Sequence, residues 1–182
     1  MKKLIYGVVS LAVISGLTGC GKYQPVPNMT KLNVNFTDSK WDGKNVPQNE
    51  VCGRYNSKVA SSPSLSINNL PIKTNKIILS FSDETYKPMS NGGHGVVSYK
   101  VQKSTKNITL PSFKSETFSL PTNYKSIQAH NSARNTDGAY LAPCSGGRGN
   151  TYSIKIEAIH DFNNDDKKPL LLGESYLKMG TY

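Results

Sequence analysis

The sequence has few of the residues that metal and nucleotide chemistry requires in clusters. It contains three histidines and three cysteines among 182 residues. It has no CxxC pair, no HExxH motif and no glycine-rich loop of the Walker type. These absences leave no strong signal for a zinc site, a metalloprotease or a nucleotide-binding enzyme. We therefore expect a protein that is not an enzyme, with no metal, no cofactor and no catalytic residue.

Acidic residues are also scarce. Asp and Glu number 12 against 22 Lys and Arg, which gives a formal net charge of +10. An excess of positive charge favours anionic partners such as phospholipid headgroups, and a soluble surface with scattered lysines is the alternative. The basic residues form no run along the sequence, and no basic helix, zinc finger or aromatic–basic repeat indicates nucleic-acid recognition. We expect no nucleic-acid partner.

Long apolar runs are missing except at the N-terminus. Two lysines precede an apolar run over residues 4–17, which ends in the sequence LTGC at Cys20. The run is short for a hydrocarbon core of about 30 Å and is typical of a signal peptide. Small residues before a cysteine predict lipoprotein processing, in which the signal peptide is removed and Cys20 receives diacylglycerol and fatty acids such as palmitate. An ordinary signal peptide with an incidental cysteine is the alternative.

Lipidation at Cys20 would anchor the protein to a membrane of the bacterial cell envelope, because each buried methylene adds about 0.8 kcal/mol. Gly21 follows the cysteine where an Asp would favour retention in the inner membrane, so enteric-type sorting predicts the outer membrane. The domain would then face the periplasm or the exterior. We predict a signal peptide over residues 1–19, a lipidated cysteine and tether over residues 20–30, and a single domain over residues 31–182.

Helical periodicity is missing from the rest of the chain. Short segments instead alternate apolar and polar residues, at 32–36, 96–101, 152–159 and 174–179, and residues 76–81 form a denser apolar run. Clusters of Asn, Gly and Ser separate these segments and indicate turns. The pattern predicts an all-β protein, an antiparallel two-sheet sandwich with few short helices.

Two cysteines remain for the folded domain once Cys20 is lipidated. Cys52 and Cys144 each lie beside turn residues, and export to an oxidising compartment permits a disulfide between them. Closing so long a loop would stabilise the fold by several kcal/mol in the chain-entropy model. We predict the disulfide, and two buried free thiols are the alternative.

Four stretches of the sequence share their order and spacing with a known family. They are DGKNVP at 42–47 followed by Cys52-Gly53, SPSL at 62–65 followed by Leu70-Pro71, residues 77–88 followed by HGVV at 94–97, and YLAPC at 140–144 followed by GNTY at 149–152. Together they resemble the phosphatidylethanolamine-binding protein family, in particular its bacterial Raf kinase inhibitor-like branch. The resemblance covers nearly the whole domain and implies a two-sheet β-sandwich with a small anion pocket at one end.

The resemblance implies five ligand-binding residues, which are Asp83, His94, Pro143, Asn150 and Tyr152. Asp83 and His94 match the acid and the histidine of two family motifs, while Gly95 stands where the family has a tryptophan. Asn150 and Thr151 replace a histidine and an arginine of the final motif. Because neither brings positive charge, we expect weakened anion binding.

His94 has two interpretations that the sequence leaves open. It can contact a ligand, or it can be a structural histidine bonded to a loop carbonyl. The family's helical insertion before the last strand is also shortened here, since only residues 161–168 span the gap. A shortened insertion predicts an opening or an exposed sheet edge.

Two functions agree with these observations. The first is a non-enzymatic, membrane-anchored lipoprotein that binds an anionic small molecule or a phospholipid headgroup. The alternative is a protein-interaction module of the envelope with a degenerate pocket, acting as an enzyme inhibitor or as a host-facing or assembly factor. A shared fold does not choose between them.

Overall fold

The computed structural model describes residues 22–102, 104–164 and 166–182, so the predicted signal peptide and Cys20 lie outside the described residues. Within these ranges one 3-10 turn, Lys87–Met89, is the only helical element. No helix of the described part is long and apolar enough to cross a membrane. The strands are β1 (Gln24–Lys31), β2 (Asn33–Phe36), β3 (Leu65–Asn68), β4 (Lys76–Asp83), β5 (Val96–Lys100), β6 (Ile108–Leu110), β7 (Tyr124–Gln128), β8 (Thr151–His160) and β9 (Leu170–Thr181).

The strands form two sheets that enclose one main core. The larger sheet has the order β1-β9-β8-β4-β5-β7, and the smaller has the order β2-β3-β6. Alternate residues of the strands face inward, so that Leu79 and Ile156 of the larger sheet join Leu65 and Ile67 of the smaller sheet in the core. The predicted two-sheet, nearly all-β sandwich is confirmed, and all five predicted strand segments overlap strands.

The first strand corrects the predicted domain boundary. Residues 20–30 are predicted as a tether, but Gln24–Lys31 pairs with β9, with Gln24 opposite Leu170 and Thr30 opposite Gly173. This pairing is parallel, whereas every other named strand pair is antiparallel. The sheet therefore begins at residue 24, within the stretch that the sequence predicts as a tether.

β1 also covers the sheet edge that the shortened insertion is predicted to expose. Residues 161–169 connect β8 directly to β9, and the Lys76 ammonium pairs with the Asp161 carboxylate at the start of this connection. The exposed edge predicted there is not at β9, because β1 covers that strand. Two prolines in β1, Pro25 and Pro27, donate no hydrogen bonds and therefore make the new edge a poor template for further strands.

Tyr140 buries a hydroxyl group in the core. Its ring packs against Phe81 at 4.4 Å and Phe113 at 5.7 Å between centroids. Among the described residues its hydroxyl has no hydrogen-bond partner. Burial keeps the pKa of this phenol well above its ordinary value, so the group stays neutral.

We expect Tyr140→Phe to raise the free energy of unfolding by about 1 kcal/mol, because an unsatisfied buried hydroxyl is removed while the packing of the ring is retained. Urea denaturation of both proteins measures the difference. A loss of stability of the same size would mean that the hydroxyl has a partner in solution.

Candidate functional site

A pocket of about 600 Å³ opens at the end of the sandwich where β4 finishes and β8 begins. Asp83 is the last residue of β4, and it lies opposite Tyr152 of β8 in the ladder. Asn150 immediately precedes β8, and His94 lies in the loop before β5. Adjacent strand ends therefore bring Asp83, His94 and Asn150 together in the pocket lining.

Asp83 organises the loop around it. Its Oδ1 accepts hydrogen bonds from the backbone N–H groups of Thr85 at 2.8 Å and Tyr86 at 2.9 Å. Its Oδ2 accepts one from Asn150 Nδ2 at 2.6 Å. An aspartate bonded to amides two and three residues ahead stabilises a turn. The carboxylate therefore holds the 84–86 loop and Asn150 in place, and it faces the pocket with little of its hydrogen-bonding capacity left.

His94 is both structurally bonded and part of the pocket. Its Nδ1 lies 2.8 Å from the Leu141 carbonyl oxygen, and its ring meets the Tyr152 ring edge-on at 5.3 Å. Its ring also lines the pocket. Burial lowers the pKa of His94 to about 4, so the imidazole is neutral near neutral pH. The structural interpretation is therefore confirmed for Nδ1, and contact of His94 with a ligand stays a prediction.

Steric crowding explains why a glycine follows His94. Gly95 has φ of +114°, and a Cβ built there would lie 2.1 Å from the Ala139 carbonyl oxygen. The segment that carries Ala139 also donates its Leu141 N–H to the His94 carbonyl at 2.9 Å. A tryptophan would not fit against this segment, so Gly95 is part of how this chain holds His94.

Pro143 and Tyr152 lie behind the pocket wall. Pro143 is buried, and its carbonyl accepts the Cys52 N–H at 3.0 Å. Tyr152 is also buried, and its hydroxyl accepts the Cys144 N–H at 3.1 Å. Neither residue lines the pocket. In this structure both position the segment around Cys144, and their contact with a ligand stays a prediction.

Three arginines line the pocket mouth. Arg54, Arg134 and Arg148 are exposed and come from three separate loops. They are all the arginines of a chain that has 22 basic residues, and no lysine lines this pocket. Within the described ranges none of the three forms an ion pair, because every cation in an ion pair is a lysine. Their guanidinium groups are therefore available to a ligand.

Sequence reasoning missed these arginines because they are far apart in the chain and form no basic run. The residue type itself could have indicated them, because arginine is rare in this chain and each arginine lies in a loop rich in Gly, Ser, Asn or Ala. Asn150 and Thr151 predict a pocket short of positive charge. The arginines supply that charge, with Arg148 only two residues before Asn150.

A disulfide holds two of the arginine loops together. Cys52 and Cys144 are bonded with a Cα–Cα distance of 5.2 Å across 92 residues of sequence, which confirms the predicted bridge. Cys52 lies two residues before Arg54, and Cys144 lies four residues before Arg148. The same two loops meet at Gly146, where an added Cβ would lie 2.8 Å from the Tyr55 ring.

Hydrogen bonds fix the remaining parts of these loops. The Tyr182 carbonyl accepts the N–H groups of Gly149 and Asn150, each at 2.9 Å. In the third loop, His130 Nε2 donates to the Thr136 carbonyl at 2.9 Å, while its Nδ1 accepts the Ser132 N–H at 3.3 Å. His130 therefore closes the turn that carries Arg134.

A second, larger groove adjoins the pocket. It encloses about 1530 Å³ and shares Arg54 and Arg134 with the pocket mouth. Lys58 and Lys114 add two more cations to its walls. Its one lining carboxylate, that of Glu116, already accepts hydrogen bonds from Gly53 N–H at 2.7 Å and Asn135 Nδ2 at 3.3 Å. The groove is therefore basic.

No family model matches the sequence, and no curated protein matches it. Among solved structures, the chain is similar to Escherichia coli YbcL, which is described as a new member of the mammalian phosphatidylethanolamine-binding protein family. The TM-score is 0.52 at 15% sequence identity, and the match covers 84% of this chain and 98% of YbcL. The chain has the phosphatidylethanolamine-binding-protein fold.

A second structure with this fold is similar to the same extent. It is the homologue CT736 of the phosphatidylethanolamine-binding protein from Chlamydia trachomatis D/UW-3/CX, with a TM-score of 0.50, 15% identity and coverage of 84% of this chain and 97% of that one. Identity this low establishes the fold alone. The fold implied by the sequence motifs is confirmed, and the function of the pocket rests on its own residues.

Proposed function

We propose that this protein is a non-enzymatic binding lipoprotein that holds a small anion, free or as a lipid headgroup, in the pocket between Asp83, His94 and the three arginines. Membrane attachment through Cys20, in the outer membrane of a bacterial envelope, is part of the proposal, as is descent from the Raf kinase inhibitor-like branch. The observation that carries the binding function is the gathering of every arginine of the chain at one pocket mouth, with no internal ion pair in the described residues.

Arginine suits this role better than lysine. Its planar guanidinium presents paired N–H donors that match the oxygen spacing of a phosphate or carboxylate. Such charge-assisted hydrogen bonds are roughly twice as strong as neutral ones. Lys87, which is close in sequence to the pocket residues, does not line the pocket. The selection of arginine over the far commoner lysine supports bidentate recognition of an oxyanion.

Thermal denaturation with inorganic phosphate tests the binding function. A ligand that binds only the folded state stabilises it by about 2.7 kcal/mol at one hundred times its dissociation constant. We expect phosphate to raise the melting temperature above that measured in sodium chloride of the same ionic strength, which controls for screening. Equal melting temperatures in the two salts at every concentration would contradict the proposal.

The lipid anchor has a separate test. Cells that express the protein and are fed labelled palmitate should incorporate the label into it, and Cys20→Ser should abolish the incorporation. Cys52→Ser is the matched control, because Cys52 is bonded within the domain and should leave the label unchanged. Unlabelled wild-type protein would contradict the lipoprotein assignment.

The basic groove supports a second candidate function, the recognition of an extended acidic polypeptide. Four cations line it, and its one lining carboxylate is already hydrogen-bonded. Fluorescence anisotropy with a labelled polyglutamate peptide should then show binding that Lys58→Glu with Lys114→Glu abolishes. Phosphate at saturating concentration should weaken this binding only in part, because Arg54 and Arg134 line both the pocket and the groove whereas Lys58 and Lys114 line the groove alone. Absence of peptide binding would remove this candidate.

A further inference from the structure

The larger sheet carries apolar residues on the face that points away from the smaller sheet. In β4, Ile77 and Leu79 belong to the main core. Ile78 instead packs with Ile159 and Leu171 in a separate, small cluster. Successive side chains of a strand point to opposite faces of the sheet, so this cluster lies on the other face, which we call the outer face.

The N-terminal segment lies on the outer face. Tyr23 is partly buried against the small cluster, and the Lys22 ammonium lies 5.7 Å from the centre of the Tyr23 ring. Both residues line a shallow groove of about 380 Å³ together with Val96 of β5 and Ile127 of β7. These two strands are far from β1 in the sheet order. The chain therefore approaches β1 across the outer face.

Very little chain separates Tyr23 from the proposed lipid. Only Gly21 and Lys22 stand between Cys20 and Tyr23 in the sequence. A residue spans at most about 3.6 Å, so the three steps from Tyr23 to Cys20 reach about 11 Å even when fully extended. A lipid attached to Cys20 therefore holds the bilayer surface close to Tyr23 on the outer face.

The side chains of the outer face suit a surface of anionic lipid. Lys22, Lys100 and Lys125 line its two grooves, and within the described ranges none of the three forms an ion pair. Ile127 is 38% exposed and lies two residues after Lys125, on the same face of β7. Lysine side chains place their apolar stems along such a residue while their ammonium groups reach lipid headgroups.

The carboxylates that line these two grooves are neutralised within the protein. Glu157 accepts a hydrogen bond from the Lys155 ammonium at 2.8 Å, and Asp161 pairs with Lys76. The Lys155 ammonium also lies 3.3 Å from a carboxylate oxygen of Glu174. Each groove carboxylate therefore has its own cation, and the three unpaired lysines give the grooves a positive charge.

We propose that the outer face of the larger sheet, around Tyr23 and Ile127, rests on the bilayer that holds the lipid anchor. Lys22, Lys100 and Lys125 then contact the anionic headgroups of that bilayer. The orientation rests on the lipid attachment that belongs to the proposed function, and it adds the surface of the domain that meets the lipid.

The outer face and the pocket mouth are separate surfaces. Tyr23 precedes Gln24, which lies opposite Leu170 at the end of the sheet where β8 finishes. The pocket opens at the other end, where β8 begins. The ten residues of β8 separate these two ends by about 30 Å. The bilayer therefore leaves the pocket mouth open to the aqueous phase.

Fluorescence quenching on vesicles tests this orientation. The lipidated protein is prepared as Ile127→Cys or, as the matched control, as Val59→Cys, since Val59 is also apolar, is 67% exposed and lines the basic groove. Each new cysteine carries a nitrobenzoxadiazole group, and the native disulfide stays oxidised. The vesicles contain phosphatidylethanolamine, phosphatidylglycerol and a lipid with a spin-labelled headgroup. We expect quenching about threefold stronger at position 127 than at position 59, because only position 127 lies against the bilayer.

Sedimentation with the vesicles separates failure of the orientation from failure of the anchor. Protein that sediments with the vesicles but is quenched equally at both positions, more strongly at position 59 or at neither position overturns the orientation and leaves the lipid anchor intact. Protein that carries no lipid and does not sediment overturns both.

Amine labelling of the wild-type chain repeats the test without a substitution in the domain. A water-soluble, amine-reactive reagent is added to the lipidated protein on vesicles and to Cys20→Ser, which lacks the lipid. We expect Lys100 and Lys125 to react about threefold more slowly in the lipidated protein, because headgroups cover them. Lys58 and Lys114 of the basic groove should react at the same rate in both proteins. Equal slowing of all four lysines, or slowing of the groove lysines alone, contradicts the orientation.

Discussion

Replacing Cys52 and Cys144 together with alanine is expected to lower the free energy of unfolding by about 4 kcal/mol. The bridge closes 92 residues of sequence and so restricts the unfolded chain strongly. Cys52 is completely buried, and its backbone N–H still reaches the Pro143 carbonyl without the bridge. The folded variant should therefore remain native-like, and urea denaturation against the oxidised wild type measures the loss.

The same double substitution should weaken phosphate binding by more than tenfold under conditions where the variant is folded. The bridge joins the loop of Arg54 to the loop of Arg148, and without it each loop must be ordered on binding. Wild-type protein treated with a reductant serves as the chemical counterpart of the variant. A variant with wild-type affinity and a stability loss below about 1 kcal/mol would show that the bridge neither stabilises the fold nor aligns the pocket.

Replacing all three arginines with glutamine is expected to weaken phosphate binding by about one hundredfold. Each arginine is exposed, so screening by solvent limits its contribution to roughly 1 kcal/mol, less than that of a buried charge pair. Three such contributions correspond to about two orders of magnitude in affinity. Calorimetry with the wild type and the triple variant measures the ratio.

Two matched variants separate specific contacts from general attraction. Lys31, Lys73 and Lys125 are exposed and lie outside the pocket lining, so changing all three to glutamine removes the same net charge without removing a contact. We expect this control to bind phosphate almost as tightly as the wild type. Changing the three arginines to lysine should give an intermediate loss, because lysine retains the charge and loses the bidentate geometry. Equal losses in the lysine control and the arginine variant would indicate a long-range charge effect.

The sequence predicted β2, β4, β5, β8 and β9. It missed β1 and β7 at the edges of the larger sheet, and it also missed β3 and β6 of the smaller sheet. β4, β5, β8 and β9 have strong apolar patterns because each packs on both sides against neighbours. β1 is mostly exposed along its length and contains two prolines, so its pairing with β9 left no periodic signal. β7 is likewise an edge strand with only partly buried residues. The pairing of an edge strand depends on the strand next to it, and the local sequence pattern carries no information about that neighbour.

The pocket was predictable in part for a similar reason. Asp83, His94 and Asn150 lie in motifs with a recognisable order, so the sequence placed them together. The arginines come from loops whose proximity depends on the disulfide and on the turn closed by His130. The proton position on His94 depends on Leu141, which is 47 residues away. The composition shows that arginine is rare in this chain, but only the fold shows that the three arginines lie together.

The most direct test of the binding site uses the fact that the chain contains three arginines. A protein labelled with nitrogen-15 therefore has three arginine Nε–H signals, which are assigned by changing each arginine to lysine in turn. Titration with phosphate should shift all three signals with one shared dissociation constant, while the signals of lysine-rich surfaces elsewhere stay unchanged. Arginine signals that remain still while phosphate binds would place the anion elsewhere and contradict the account of the pocket.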